Sequence, residues 1–288
     1  MKTIYRFICF VFFSAWVFNV QAQQDTLRIL AIGNSFSQDA VEQYLYDLAK
    51  ATNKPIIIGN LYIGGAPLSL HWENASEDKP AYSYRKIGVD GKKVIRKGTA
   101  LSVALVDEPW DFVTLQQASP LSGKFDSYKQ PVTDLLGYLG NMLKGNAHVL
   151  WHQTWAYAPT STHKGFLNYN KDQKTMYKGI MHASRKVKTL GDKALRIDGV
   201  IPSGAAIQNA RTVLGDDLTR DGYHLDLGIG RFIAACTWYE FLFKQEAPVD
   251  KYHPDAVDSF DAVIAQQAAH AANLKPFSLT KLKVGVLK

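Results

Sequence analysis

Leu27-Arg28-Ile29-Leu30-Ala31-Ile32-Gly33-Asn34-Ser35-Phe36-Ser37 decides how the chain is read. The mostly apolar, partly β-branched run from Leu27 to Ile32 has the pattern of a buried strand. Gly33 then permits a sharp turn before a helical run that begins near Gln38. Ser35 therefore falls where strand becomes helix. In an open parallel sheet that place is the carboxyl edge, where ligands bind and the N–H groups of the new helix point outward. A serine there either caps the helix or acts on a ligand. The choice between these depends on what the rest of the chain brings to the same edge.

Working outward, Ala40 to Ala51 carries Val41, Tyr44, Leu45 and Leu48 at helical spacing. Ile56 to Ile63 is a second apolar run, bounded by Gly64-Gly65-Ala66-Pro67, and reads as a strand entering a glycine-rich turn. Tyr82 to Ile87 and Lys93 to Lys97 flank Val89-Asp90-Gly91-Lys92, and Asp-Gly between β-prone runs predicts a hairpin. Residues 72–98 thus read as an inserted hairpin beside the Ser35 edge, with Trp72, Tyr82 and Tyr84 as candidate ligand-facing aromatics. Asp111 to Leu115 is a third strand leading into Gln116-Gln117-Ala118-Ser119, and Ala147 to His152 a fourth, ending near Trp155. His152 and Trp155 are further candidates for the pocket wall. Helices are expected over Tyr128 to Leu143, Met176 to Leu190 and Ala205 to Leu214, with a fifth strand over Ala194 to Ile201. Strands alternating with helices argue for an α/β protein: a three-layer α/β/α sandwich with a five-stranded parallel, flavodoxin-like sheet. Right-handed crossovers then gather every strand's carboxyl end on one edge.

The chain's start has a different character. Lys2 and Arg6 precede the apolar run Phe7 to Phe18, and Val20-Gln21-Ala22 has the small-x-small form of a cleavage site, so residues 1–22 read as a signal peptide and residues 23–288 as one domain. The run is too short to span a membrane, and stable membrane insertion is not expected once it is removed. Cleavage would remove Cys9, leaving Cys236 without an intrachain partner. It would also lower the formal charge of +7 to about +5. The lysines are scattered, which gives nucleic-acid binding no support.

Thr219-Arg220-Asp221-Gly222-Tyr223-His224-Leu225-Asp226 supplies what Ser35 lacks. Asp221 and His224 stand three apart in a turn containing Gly222, so the carboxylate can accept from one ring nitrogen and leave the other free. A serine is a weak nucleophile until a base takes its proton, and the base must be held in the right tautomer by a third group. Ser35, His224 and Asp221 fill those roles. His71, His148, His152, His163, His182, His253 and His270 show neither paired helical spacing nor carboxylate company, so no metal site and no cofactor is expected.

The blocks Gly33-Asn34-Ser35-Phe36-Ser37, Gly64-Gly65-Ala66, Gln116-Gln117-Ala118-Ser119 and Asp221-Gly222-Tyr223-His224-Leu225, in this order across roughly residues 27–245, resemble the SGNH or GDSL hydrolase superfamily, as a secreted bacterial branch of it. The resemblance implies an esterase or lipase-type fold with a Ser-Asp-His triad and no metal. Two departures stand out. Asn34 replaces the usual Asp of the first block, and the third block lacks the usual Gly-x-Asn-Asp. The oxyanion donors expected are therefore the N–H groups of Ser35 and Gly65, with the side chain of Gln117, or alternatively Gln116, replacing the asparagine. Strand alternation turns only one of the two glutamines toward the site.

The expected activity is hydrolysis of O-acetyl or similarly small esters on carbohydrate, in the periplasm or outside the cell, with an acylated glycan or other small ester as partner. A lipid esterase or thioesterase, and a non-catalytic carbohydrate-binding protein on the same fold, are the alternatives at this stage.

Overall fold

The computed structural model describes residues 25–143, 145, 147–191 and 195–283. The expected signal peptide, and Cys9 with it, lies outside the described residues. The strand at the start of the decisive stretch forms as β1 (Leu27–Gly33). It pairs in parallel with β2 (Ile56–Tyr62) on one side and with β5 (Phe112–Leu115) on the other. β6 (His148–His152) and β7 (Ile197–Ile201) continue the parallel set. Ile29 and Ala31 enter the core on one face of the sheet, while Leu30 and Ile32 enter the core on the other. A strand buried on both faces has no polar side to show, which is why its sequence is an unbroken apolar run.

Helices cover both faces. α1 (Ser35–Val41), α2 (Leu45–Ala51), α7 (Ser203–Leu214), α8 (Ile229–Phe243) and α9 (Ser259–Leu274) pack on the Ile29 face. α3 (Leu68–Ser76), α4 (Leu101–Leu105) and α5 (Lys129–Met142) pack on the Leu30 face. α6 (Gln173–Lys186) contributes Met176 and Ile180 to the first core and Ala183 to the second. The architecture is the three-layer α/β/α arrangement expected.

The hairpin differs from expectation. β3 (Tyr82–Ile87) and β4 (Lys93–Thr99) are joined through the Asp90-Gly91 turn, where Lys92 N–H donates to Asp90 Oδ1 at 3.0 Å. They do not stand beside the sheet. β3 pairs antiparallel with β2, and the result is one mixed seven-stranded sheet in the order β4-β3-β2-β1-β5-β6-β7. Pairing satisfies the row of backbone groups that β2 would otherwise expose. It also turns alternate β3 side chains inward, so Tyr82 and Tyr84 are buried core residues. The phenol of Tyr84 donates to Asp107 Oδ2 at 2.9 Å, and that of Tyr82 lies 3.1 Å from His71 Nδ1. Trp72, on α3, is half-buried against this same core. None of the three lines the site described next.

Candidate active site

Gly33 ends β1 because nothing larger fits: a Cβ there would lie 2.7 Å from Ser37 Oγ and 2.8 Å from Gln116 Cδ. Asn34 follows in extended conformation, and its Oδ1 accepts from Phe36 N–H at 3.0 Å, capping α1. The cap is thus the asparagine. Ser35, in the first turn of α1, keeps its hydroxyl for His224, whose Nε2 lies 2.8 Å from Ser35 Oγ. The opposite ring nitrogen, Nδ1, lies 2.6 Å from Asp221 Oδ2. With the carboxylate ionised, Nδ1 carries the proton and Nε2 accepts from the serine hydroxyl.

The turn that carries Asp221 and His224 is closed from within. Asp221 Oδ1 accepts the N–H of His224 at 2.7 Å and that of Tyr223 at 3.2 Å. Gly222 sits at φ +84, where a side chain is strained, and a Cβ would meet Ser161 Cα at 2.7 Å. Burial pushes the Asp221 carboxyl up, but these two N–H bonds and the imidazole outweigh it and hold the group below its ordinary value of 3.8.

Anchors from outside fix the turn against Ser35. Ala158 N–H donates to Gly222 O at 2.8 Å, and Trp155 Nε1–H donates to Tyr223 O at 2.8 Å. Trp155 is fully buried and stacks on Phe36 with ring centroids 4.4 Å apart, so it supports the turn from beneath and does not line the pocket. Asp39, one helical turn after Ser35, accepts Leu225 N–H at 2.9 Å through Oδ2. Its Oδ1 meets Arg231 Nη2 at 2.5 Å and Arg220 Nη1 at 3.3 Å. Two rungs therefore join α1 to the turn: Ser35 with His224, and Asp39 with Leu225. The i, i+4 spacing of Ser35 and Asp39 carries that signal in the sequence; a helix begun near Gln38 leaves Ser35 outside it and misses the pairing, whereas α1 begins at Ser35.

These groups open onto a cleft of about 390 Å³, whose wall includes Ser35, Gly65, Tyr62, His163, Tyr223 and His224. Ser119 and Arg220 also reach it. A more open hollow of about 460 Å³ lies elsewhere, lined by Tyr46, Lys50, Lys54 and Pro55, and carries none of these groups. Neither the Ser35 nor the Gly65 N–H is taken by a hydrogen bond within the described residues.

The glutamines are a correction. Gln117 is buried, its Oε1 accepts from Leu68 N–H at 3.0 Å and Ala118 N–H at 2.9 Å, and its Nε2 donates to Ser127 O and Oγ at 3.2 and 3.0 Å. It ties the end of β5 to α3 and to the approach to α5, with its amide nitrogen turned to Ser127 and away from the cleft. Gln116 is buried on the other side, donating to Asn34 Oδ1 at 2.8 Å and accepting from His152 Nδ1 at 2.8 Å. Asn34 Nδ2 in turn donates to Ala66 O at 3.1 Å. Gln116 and Asn34 thereby lock the Ser35 turn to the Gly64-Gly65-Ala66 turn, and of the two only Asn34 reaches the cleft wall among the described residues. His152 lies at the foot of this chain, fully buried between Gln116 and Ser203 Oγ, and is no lining residue either.

Burial lowers the His152 imidazole to about 3 and that of His71 to about 4. Between those values and the unfolded value near ~6.5, the unfolded chain binds protons that the folded chain refuses. Stability is accordingly full above about pH 6.5 and lost as the pH falls, by about 1.4 kcal/mol per pH unit for each histidine. Urea denaturation at pH 7.5 and pH 5 should show a clearly lower midpoint at pH 5. Equal midpoints would mean that the two rings accept protons in the folded state.

A family profile described as a domain of unknown function, DUF4886, matches residues 28–272. The crystal structure of a DUF4886 family protein from Bacteroides uniformis is 47% identical, covering 90% of this chain and 98% of that one, with a TM-score of 0.86. A protein from Slackia heliotrinireducens, provisionally assigned as an SGNH hydrolase, aligns at 20% identity over 75% of this chain and 98% of its own, with a TM-score of 0.47. A point mutant of an acetyl-xylooligosaccharide esterase from Geobacillus aligns at 12% identity over 76% and 95%, with a TM-score of 0.49. Among curated proteins none matches this chain.

Proposed function

This chain belongs to the DUF4886 family, and for it we propose a serine esterase of SGNH type that removes O-acetyl or similarly small acyl groups from carbohydrate, outside the cytoplasm. The observation that carries the reading is the unbroken line Asp221 Oδ2, His224, Ser35 Oγ, at 2.6 and 2.8 Å, opening onto a cleft. A buried ornament would not need it: a hydroxyl that only caps a helix has no use for an imidazole, and Asn34 already supplies the cap.

In this reading Ser35 Oγ attacks the acyl carbon while His224 Nε2 takes its proton. Asp221 holds the ring and stabilises the imidazolium. The carbonyl oxygen, gaining the electron pair of the broken π bond, accepts from the free N–H groups of Ser35 and Gly65. On collapse His224 returns the proton to the alkoxy oxygen, which leaves as the sugar hydroxyl. A water molecule then repeats the attack on the acyl-enzyme and releases the acid. The polar wall supports a small acyl group on a hydroxylated carrier: Asn34, Gln38, Ser119 and Arg220 line the cleft, and Tyr62 and Tyr223 add aromatic surface to it. The leader pattern over residues 1–22 supports export.

A fluorophosphonate probe should label Ser35, and an acyl-chain series of aryl esters should give its highest kcat/KM at acetate with a fall beyond butyrate. A rising series with chain length would assign a lipid esterase instead. Failure of probe and esters alike, with the fold intact, would leave a binding protein.

A further inference from the structure

We propose that the Ser119 hydroxyl is the third donor to the developing oxyanion, with its proton aimed into the cleft by Tyr157. The proposal rests on the serine-esterase reading above and supplies the part that reading lacks, a side-chain donor at the end of β5. Gln117 is excluded because its amide nitrogen donates to Ser127 O and Oγ and it does not reach the cleft wall. Gln116 gives a hydrogen to Asn34 and does not reach the wall. Ser119, two residues beyond Gln117, does reach it, in company with Ser35 and Gly65.

Following the protons fixes the direction of the Ser119 hydroxyl. Gly165 N–H donates to His163 Nδ1 at 3.0 Å, so that nitrogen is the unprotonated one and its single in-plane lone pair is occupied. Tyr157 OH lies 3.3 Å from the same nitrogen, too long to compete, and 2.7 Å from Ser119 Oγ, the ordinary length of an O–H···O bond. Burial pushes the Tyr157 phenol up, so it keeps its hydrogen at any working pH. The Tyr157 O–H therefore donates to Ser119 Oγ. With that lone pair filled, and Tyr157 the one partner of Ser119 Oγ among the described residues, the serine hydrogen has no protein acceptor and is left for the cleft.

During attack, the acyl C=O π pair moves onto oxygen and the new charge accepts three hydrogen bonds, from Ser35 N–H, Gly65 N–H and Ser119 O–H. Ser119 lends its hydrogen without losing it, and collapse of the tetrahedral species releases it. Tyr157 touches no reacting atom and acts as a positioning residue.

The test uses the mature protein with Ser119→Ala, Tyr157→Phe and the double variant, assayed on an aryl acetate and with a boronic acid that forms a tetrahedral adduct on Ser35. Ser119→Ala should lower kcat about a hundredfold with KM changed less than about threefold, and should weaken the boronic acid by a similar factor. Tyr157→Phe should lower kcat about tenfold, and the double variant should be no worse than Ser119→Ala alone, because the phenol works only through the serine. A Ser119→Ala protein within about threefold of the parent kcat overturns the proposal, as do losses that multiply in the double variant. Should Ser119→Ala fail to fold, Tyr157→Phe decides: unchanged kcat and boronic acid affinity overturn the proposal. Absence of fluorophosphonate labelling in the parent protein is a separate result, which removes the esterase reading itself.

Discussion

Ser35→Ala is expected to lower kcat for aryl acetate hydrolysis by about 10⁶-fold and to abolish fluorophosphonate labelling, with the unfolding midpoint unchanged. The size follows from how the three side chains work as one unit: without Ser35 Oγ, the imidazole has no proton to take and the acyl group no oxygen to join. What remains is the orienting power of the cleft and its backbone donors, typically about 10³ to 10⁴ over the uncatalysed reaction. Stability should be spared because, among the described residues, the one side-chain bond of Ser35 is to His224, on a partly exposed surface, while the cap of α1 belongs to Asn34. Kinetics and urea denaturation on the same preparation check both halves. Wild-type turnover in Ser35→Ala would remove the serine from the mechanism.

How much of this was legible in the sequence differs from one element to the next, for physical reasons. The parallel strands were legible because they are buried on both faces and so read as apolar runs between turn signals. Asp90-Gly91 was legible as a hairpin because a tight turn demands it. The pairing of that hairpin with β2 was not, since it depends on which edge the folded sheet leaves open. Tyr82 and Tyr84 were misplaced for the same reason: alternation sets which residues share a face, and only the pairing says which face is inside. α9 gives a weak signal in the sequence because its buried side, Ile264 apart, is built from Ala262, Ala265, Ala268, Ala269 and Ala272, which pack closely against neighbouring helices yet add little hydrophobicity. That Ser35, Asp221 and His224 meet is readable because local turns hold them and the edge of a parallel sheet collects them. The roles of Gln116 and Gln117 were not, because an amide at a strand end reaches equally well for a ligand or for the backbone of its neighbours, and here both glutamines take the second course.

Asp221→Asn is expected to lower kcat about 10⁴-fold while leaving the turn in place. The carboxylate serves two masters: Oδ1 accepts the N–H groups of Tyr223 and His224, and Oδ2 accepts the Nδ1 hydrogen of His224. Asparagine has one oxygen. If that oxygen keeps the two backbone bonds, the amide hydrogens face Nδ1 and donate to it, forcing the imidazole hydrogen onto Nε2, the nitrogen that must accept from Ser35. If the amide flips, the ring keeps its tautomer, the turn loses both N–H partners, and the charge that stabilises the imidazolium is absent in either case. The first arrangement has the more bonds and should prevail, so far-ultraviolet circular dichroism and the unfolding midpoint should change little while labelling by fluorophosphonate slows in step with kcat. Since Asp221 is held below the usual carboxylate range, it stays ionised through the ordinary assay range of pH. The acid side of the parent pH profile should accordingly show no separate loss from protonation of Asp221 within the ordinary carboxylate range. A loss of less than about tenfold in Asp221→Asn would show that the turn alone, without its charge, suffices to hold His224 for catalysis, and would demote the aspartate from the triad to the scaffold.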